Sequence, residues 1–169
     1  MKSRYLHLAL YGPAACLLGV SGGSAMSAEP VLTLEKASAI VAPIYEALNE
    51  PAKADVESLV KQSTSLDFMS CATEGDCIDR ESAITRFKVL GRIIPDLHWA
   101  IREIQVAGDE VIVRGEATGT PVLPFLGIQP TGKSFKIMSI DIHIVKDGKV
   151  ARTYHVESWT VALRQLGGK

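Results

Sequence analysis

The sequence predicts an α+β fold in which helices come first and pack on one face of an antiparallel sheet. Before Pro95, apolar residues recur every three or four positions, which is the period of an amphipathic helix. From Leu97 onward the apolar period becomes two, which is typical of strands with one buried face. Short turns such as Asp147-Gly148 separate these strands and indicate that consecutive strands pair antiparallel. Helices segregated before such a sheet favour an α+β domain.

Length and composition are those of one compact domain. The chain has 169 residues, of which 47% are hydrophobic and 22% are charged, so it has enough apolar material for a core. These proportions exclude a disordered or fibrous chain. Residues 29–169 contain no internal repeat and no low-complexity linker, and we therefore predict a single domain over that range.

The first 28 residues have the layout of a secretory signal peptide. Lys2 and Arg4 precede an apolar run, and small residues surround the segment from Ala25 to Ala28. We therefore expect the chain to be exported, with a periplasmic or secreted location, and the folded domain to begin at residue 29. A retained membrane anchor is a weaker alternative, because glycines and a proline interrupt the apolar run before it reaches the ~20 residues that a spanning helix needs.

Charge gives no indication of a polyanionic partner. Removal of residues 1–28 takes away Lys2 and Arg4 and no acid, so the formal net charge falls from -1 to -3. A mildly acidic chain without a basic stripe does not suggest nucleic acid as a partner. Nor do we expect membrane contact once the signal has been removed. Lipid attachment at Cys16 is disfavoured because Pro13 stands where such a signal usually has an aliphatic residue.

Two cysteines remain after the signal, and their spacing suggests a disulfide. Cys71 and Cys77 flank a short segment that contains Gly75. An even pair at this spacing in an exported chain indicates a bond that closes a small loop. Such a bond contributes about 2 kcal/mol on the loop-entropy account. Two free thiols or part of a metal site are the alternatives, although no further cysteine is available to complete the latter.

Three helices are expected in the first half of the chain. Thr33 can cap a helix that runs to about Asn49, with one apolar stripe along it. Pro51 is expected to begin a second helix, and Asp79 precedes a third that Pro95 stops. Four strands then follow, and a short helix ends the domain; we place the strands at residues 97–106, 111–120, 134–146 and 150–159 and the helix at residues 160–166.

The long third strand is apolar on both faces but carries two ionisable groups. Asp141 and His143 share one face with Phe135, Ile137, Ser139 and Val145, whereas the other face carries Met138, Ile140, Ile142 and Ile144. One face must lie against the helices. The other face requires a cover as well, which either a second subunit in a homodimer or burial within the same chain would provide.

Four ionisable groups are expected to converge on the neighbouring strands. The segment YHVES places His155 and Glu157 on one face of the last strand, next to Asp141 and His143 across the hairpin. The simplest explanation is a set of solvated surface residues paired across the hairpin. The alternative is a site, because helices laid against a curved sheet leave a cavity that these groups could line.

The pattern of turns and segments resembles a known family. Its most telling pieces are Pro95-Asp96, Gly108-Asp109, Gly119-Thr120, the segment Pro130-Thr131-Gly132-Lys133 and Asp147-Gly148-Lys149. In their order and spacing, over roughly residues 33–167, they resemble the SnoaL-like polyketide cyclases and ester cyclases of the NTF2-like superfamily. The resemblance implies a cone-shaped α+β barrel, often dimeric, whose N-terminal helices pack on a curved sheet that wraps a pocket.

The same resemblance implies an aldol type of chemistry without a cofactor. Family cyclases close a ring with an acidic base and polar groups that stabilise an enolate. The family's polar-x-His pair would fall on Asp141 and His143, and its acid near Glu157, although many relatives have the acid where this chain has Ser158. We expect Asp141 or Glu157 to be the base, His143 the acid, with His155 beside them.

The expected ligand is a small apolar or carbonyl-containing compound. Trp99, Arg114, Phe125 and Tyr154 are candidate pocket residues. Two alternatives remain open at this point. His143, His155 and one carboxylate have the ligand types of an iron or zinc centre, although no helical ligand motif supports a metal. A non-catalytic binding module of the same superfold is the more serious alternative, because fold does not decide function.

Overall fold

The architecture of residues 32–167 is given by a computed structural model, and the predicted signal peptide lies outside these described residues. The predicted α+β class is confirmed, with helices packed on one side of a curved sheet that does not close. The elements are α1 (Leu34–Ala47), α2 (Val56–Ser63), β1 (Thr64–Thr73), β2 (Asp76–Asp79), α3 (Arg80–Ile93), β3 (His98–Ala107), β4 (Glu110–Gly119), β5 (Phe135–Lys146), β6 (Lys149–Glu157) and α4 (Trp159–Leu166).

Polar caps set where the first three helices begin. Side-chain oxygens of Thr33, Asp55 and Asp79 accept hydrogen bonds from backbone N–H groups in the first turns of α1, α2 and α3. The prediction that the second helix begins at Pro51 is wrong. Because Asp55 provides the cap, α2 starts at Val56 and the preceding residues form turns. None of the helices within residues 32–167 is long and apolar enough to cross a membrane.

The sheet contains the predicted meander and two further strands. Its order is β2-β1-β6-β5-β4-β3, so the four strands expected from the period of two form consecutive antiparallel pairs. The expectation of a purely antiparallel sheet is wrong, because β1 pairs parallel with β6. β1 and β2 went unpredicted since their exposure follows no clean alternation and β2 spans only four residues. The result is a six-stranded mixed sheet.

The disulfide between Cys71 and Cys77 is present. The two cysteines are directly opposite each other in the antiparallel β1–β2 pair, so the bond joins two strands. It therefore fixes the β1–β2 hairpin at the edge of the sheet, where the pairing of strands is otherwise least supported.

The two faces of the sheet differ sharply in burial. The inner face of β5 is buried beneath the helices, and it carries Asp141 and His143. The outer face is open to solvent, since Met138 is 50% exposed and Val156 is 68% exposed. The alternative in which this second apolar face is buried within the same chain is therefore wrong for residues 32–167. A homodimer that covers it stays a prediction.

Close packing between α3 and the turn before α2 yields a test of the fold. A Cβ added at Gly91 would lie 2.5 Å from the backbone nitrogen of Ala52 and 2.7 Å from the carbonyl carbon of Pro51. We expect Gly91→Ala to lower the free energy of unfolding by about 2 kcal/mol, because this clash outweighs the ~1 kcal/mol that alanine gains over glycine in a helix. Urea unfolding followed by circular dichroism measures the change.

Gly75→Ala is the matched control for this substitution. A Cβ at Gly75 would have no atom within 4 Å, so we expect a change within about 0.5 kcal/mol. A stabilised Gly91→Ala protein would contradict the close approach of α3 to the turn.

Candidate active site

A cavity of about 460 Å³ lies between the helices and the inner face of the sheet. Its wall is mainly apolar and aromatic, and its polar groups are concentrated on β5 and β6. This combination of an apolar enclosure with a few convergent polar groups is typical of small-molecule sites. The apolar part of the wall includes Ile44, Leu48, Phe68, Phe87, Leu90, Ile93, Trp99, Phe125 and Trp159.

Strand register brings the predicted ionisable groups together. Asp141 is directly opposite His155 in the β5–β6 pair, and His143 is opposite Thr153. Glu157 follows two residues after His155 and therefore shares its face. All five side chains line the cavity. The convergence expected from the period of two is thus what the structure has.

Asp141 is the most enclosed carboxyl group of the cavity. Its residue is only 7% exposed, and its Oδ2 accepts hydrogen bonds from Tyr45 Oη at 3.0 Å and from Ser139 Oγ at 3.3 Å. Burial is the main reason that the pKa of Asp141 rises from 3.8 to about 6, and the negative charge of Glu157 adds to the rise. The hydrogen bond from Tyr45 is the largest opposing influence on this pKa.

His143 is fully enclosed, and protein groups occupy both of its ring nitrogens. Its Nε2 lies 3.0 Å from Tyr45 Oη, its Nδ1 lies 2.8 Å from Thr153 Oγ1, and the residue is 1% exposed. Burial lowers the pKa of His143 from 6.5 to about 3, with a smaller effect from the charge of His155. The ring is therefore neutral at physiological pH. The predicted role of His143 as proton donor to a substrate does not fit an enclosed, neutral ring.

The hydrogen bonds of this group have one consistent direction. Tyr45 has a single hydroxyl proton, which it donates to Asp141. His143 must then donate its Nε2 proton to the Tyr45 oxygen, and Thr153 must donate to His143 Nδ1. Every donor in this row thus points toward the Asp141 carboxylate. His143 and Thr153 hold Tyr45 in place and thereby support the charged form of Asp141.

A second row of donors reaches the same oxygen of Asp141 through Ser139. Trp99 Nε1 donates to Ser139 Oγ at 2.9 Å, and Ser139 in turn donates to Asp141. Gly115 on β4 makes this contact possible, because a Cβ there would stand 2.5 Å from Ser139 Oγ and 2.9 Å from Trp99 Nε1. Trp99 therefore lines the cavity as predicted and also orients Ser139.

His155 and Glu157 form an accessible pair beside Asp141. The Nδ1 of His155 lies 2.9 Å from Glu157 Oε1, and Trp159 Nε1 donates to Glu157 Oε2 at 3.2 Å. The hydrogen bond to Glu157 is the main reason that the pKa of His155 is raised. The folded protein thus retains the cationic form of His155 to a higher pH than an ordinary histidine would. No hydrogen bond to its Nε2 forms within residues 32–167, which leaves this nitrogen available to a ligand.

Arg114 and Tyr154, two of the predicted pocket residues, do not line the cavity. Both lie on the outer face of the sheet. Tyr154 stands between Thr153 and His155, which face inward, so it faces outward. The same alternation along β4 turns Arg114 outward. Arg114 there donates to Glu103 at 3.1 Å. Phe125, by contrast, lines the cavity from the loop between β4 and β5.

Tyr45 is the site residue that sequence reasoning missed. It belongs to the apolar stripe of α1, so its position indicated core packing rather than a polar role. The available signal was its hydroxyl, since a buried tyrosine requires a hydrogen-bond partner. Burial and the nearby Asp141 raise the pKa of Tyr45 well above its usual range, so its hydroxyl keeps its proton.

A metal centre receives no support from the described part of the chain. Within residues 32–167, no group of three or more His, Cys, Asp or Glu side chains has an arrangement that could hold a metal ion. His143, a member of the ligand set considered above, has both ring nitrogens bonded to Tyr45 and Thr153.

Comparison with known proteins identifies a family. The family described as "SnoaL-like polyketide cyclase" matches residues 41–166 of the sequence. No curated protein matches the chain.

Solved structures share the fold at low sequence identity. TsrD from Streptomyces laurentii has a TM-score of 0.72 and 22% identity, covering 82% of this chain and 99% of its own. IdmH from Streptomyces antibioticus, described as a candidate polyketide cyclase, has a TM-score of 0.67 and 26% identity over 78% of this chain and 98% of its own. AclR from Streptomyces galilaeus, described as a candidate hydroxylase, has a TM-score of 0.68 and 23% identity over 80% of this chain and 98% of its own.

The position of Tyr45 between Asp141 and His143 leads to a stability prediction. Tyr45→Phe removes one donor and one acceptor from a buried row, so we expect the free energy of unfolding at pH 7.5 to fall by about 1–3 kcal/mol. Urea unfolding measures this change. Tyr154→Phe is the control, because its hydroxyl only accepts from the exposed Arg152, and we expect a change within about 0.5 kcal/mol. Equal effects of the two substitutions would contradict the buried row.

The raised pKa of Asp141 predicts a stability difference that depends on pH. Its folded-state pKa, about 6, exceeds its unfolded value of 3.8, so its contribution to stability is present below about pH 4 and is lost as pH rises through 6. Asn has no charge to bury. We therefore expect Asp141→Asn to be more stable than the wild type at pH 8 by about 1–3 kcal/mol.

Comparison of the same two proteins at pH 4 supplies the control. There the wild-type carboxyl is almost fully protonated in the folded state and partly protonated in the unfolded state, so most of the charge penalty is absent and the advantage of Asp141→Asn should shrink. Urea unfolding at the two pH values measures both differences. An advantage that is equal at pH 4 and pH 8 would contradict a raised pKa.

Proposed function

The chain belongs to the SnoaL-like polyketide cyclase family, and from that premise we propose that it is a cofactor-independent acid–base enzyme acting on a small carbonyl compound. The reaction class is an intramolecular aldol cyclisation or an isomerisation that begins with removal of a proton next to a carbonyl group. The observation that carries the proposal is Asp141, a carboxyl group with a pKa of about 6 that faces an apolar cavity. A base with a pKa near the working pH is well matched to this step.

Asp141 is assigned the role of base in preference to Glu157. Both oxygens of Glu157 are held by protein donors, His155 on Oε1 and Trp159 on Oε2. Asp141 Oδ2 accepts from Tyr45 and Ser139, while neither interaction engages Oδ1. Oδ1 is therefore the oxygen that can accept the substrate proton. The two donors on Oδ2 orient the carboxylate and preserve its charged form until the proton arrives.

His155 is assigned the role of acid. When the C–H bond breaks, its electron pair passes to the carbonyl oxygen, and the proton moves to Asp141. A cationic His155 across the β5–β6 pair can donate a hydrogen bond to the resulting enolate oxygen through Nε2. The enolate carbon can then attack a second carbonyl group of the same molecule, or it can take back a proton at a different position.

A non-catalytic binding module is the second candidate function. The wall of the cavity favours this function, because most of the wall is apolar and cannot take part in proton transfer. A binding module would hold a small apolar compound with the aromatic residues and would use the polar groups of β5 and β6 only to orient it.

Export from the cytoplasm and formation of a homodimer are further parts of the proposal. The Cys71–Cys77 bond supports export, because disulfides persist in oxidising compartments. The signal-like sequence of residues 1–28 supports export as well. The exposed apolar residues Met138, Ile140 and Val156 on the outer face of the sheet support a dimer.

Exchange of substrate protons with solvent provides a test that needs no knowledge of the natural substrate. The protein is incubated in D₂O with 4-phenyl-2-butanone, and loss of the signals next to the ketone is followed by proton NMR. We expect the wild type to accelerate exchange, with a rate that rises as pH passes about 6 and Asp141 ionises. Asp141→Asn should lower the rate about 100-fold, which is typical for loss of a general base.

Binding of the same ketone separates the two candidate functions. Saturation-transfer NMR reports its binding to the wild type and to Asp141→Asn. If both proteins bind the ketone and neither accelerates exchange of its protons, the proposed enzyme activity is contradicted and the binding module is supported.

A further inference from the structure

One arginine lines the apolar cavity and forms no ion pair within residues 32–167. Arg86 lies on α3, on the inward row that continues through Val89, Leu90 and Ile93. It is the only lysine or arginine among the residues that line the cavity within residues 32–167. The row thus places one permanent positive charge at the edge of an otherwise apolar helix face.

The sequence around Arg86 offers it no counter-ion. The residues three and four positions away on α3 are Ser82, Ala83, Val89 and Leu90, so no acidic side chain is within reach along the helix. None of the ion pairs within residues 32–167 includes Arg86, whereas Lys88 on the same helix pairs with Glu57 across to α2 at 3.0 Å. A guanidinium group is therefore available at the cavity.

We infer that Arg86 binds a carboxylate group of the ligand, so that the compound acted on is a small apolar carbonyl compound with one carboxylate. This inference deepens the proposed function and rests on it. A guanidinium group presents its N–H donors in a planar fork that matches the two oxygens of a carboxylate. The apolar and aromatic wall would hold the body of the same molecule.

The other charges in the cavity favour a single negative charge on the ligand. Asp141 and Glu157 line the same space and repel anions. One guanidinium can compensate one carboxylate, whereas a doubly charged phosphate would have to overcome these two acids with the same single arginine. The carboxylate of the ligand would thus lie toward α3, away from repulsion by Asp141 and Glu157. Its carbonyl group would lie toward β5 and β6.

An electrostatic link connects Arg86 to the proposed acid. The positive charge of Arg86 lowers the pKa of His155, against the larger effect of Glu157, which raises it. A carboxylate on Arg86 would cancel that opposing charge and favour protonation of His155. Binding of an acidic ligand would thus place the proposed acid in the protonation state that the reaction requires.

A matched pair of ligands tests the inference directly. The ketone acid 4-oxo-4-phenylbutanoate carries a carboxylate, and 4-oxo-4-phenylbutanamide has nearly the same shape without the charge. Dissociation constants for both are measured by isothermal titration calorimetry at pH 7.5 and low salt. We expect Arg86→Gln to weaken binding of the acid about tenfold, at the low end for hydrogen bonds to charged groups because Arg86 is exposed. Binding of the amide should change less than about twofold.

Two further variants serve as controls. Arg92→Gln removes an exposed arginine of the same helix that does not line the cavity, and we expect no change in either affinity. Arg86→Lys keeps the charge but loses the planar fork, so an intermediate affinity for the acid is expected.

The inference is overturned if the wild type does not bind the acid at millimolar concentration, or if Arg86→Gln weakens binding of the acid and of the amide alike. Its failure is separable from failure of the proposed function. Loss of affinity for the acid in Arg86→Gln, without any proton exchange by the wild type, would support the carboxylate site and refute catalysis. Proton exchange with equal affinities for acid and amide would support catalysis and refute the carboxylate site.

Discussion

The burial of the Asp141 carboxylate is the constraint on which the site depends. A charged group inside an apolar cavity is costly unless hydrogen-bond donors compensate it, and here two donors bind its Oδ2. Tyr45 comes from the first helix, and Ser139 comes from the same strand as Asp141. Tyr45 and Asp141 are 96 residues apart in the sequence, so their hydrogen bond ties the packing of α1 on the sheet to the site. The environment of the carboxylate therefore depends on the packing of α1 against the sheet.

Several residues that look like ordinary core residues help to hold the hydrogen-bond donors of Asp141 in place. Gly115 leaves room for the Trp99–Ser139 hydrogen bond, and Thr153 fixes the tautomer of His143. His143 is the clearest example, since its position suggests a proton donor, yet its enclosure keeps it neutral and makes it a positioning residue for Tyr45. The proposed proton donor is its more accessible neighbour on β6, His155.

Much of this arrangement could be predicted from the sequence because it depends on local periodicity. The period of two in β5 and β6 placed Asp141, His143, His155 and Glu157 on one face, where the structure has them. The same rule, applied strictly, would have turned Tyr154 and Arg114 outward. The parallel pairing of β1 with β6 and the contact of Tyr45 with Asp141 lay beyond prediction, because both join segments that are separated by many residues. No local pattern encodes such long-range contacts.

The proposed reaction requires that Asp141 ionise near neutral pH. The most direct measurement is a titration of the Asp141 side-chain carboxyl carbon by ¹³C NMR, with Asp141→Asn to assign the signal. An apparent pKa of about 6 is the result that this structure predicts. A pKa close to the ordinary value of about 4 would mean that water reaches the carboxylate freely, and it would contradict the buried base on which the proposed reaction depends.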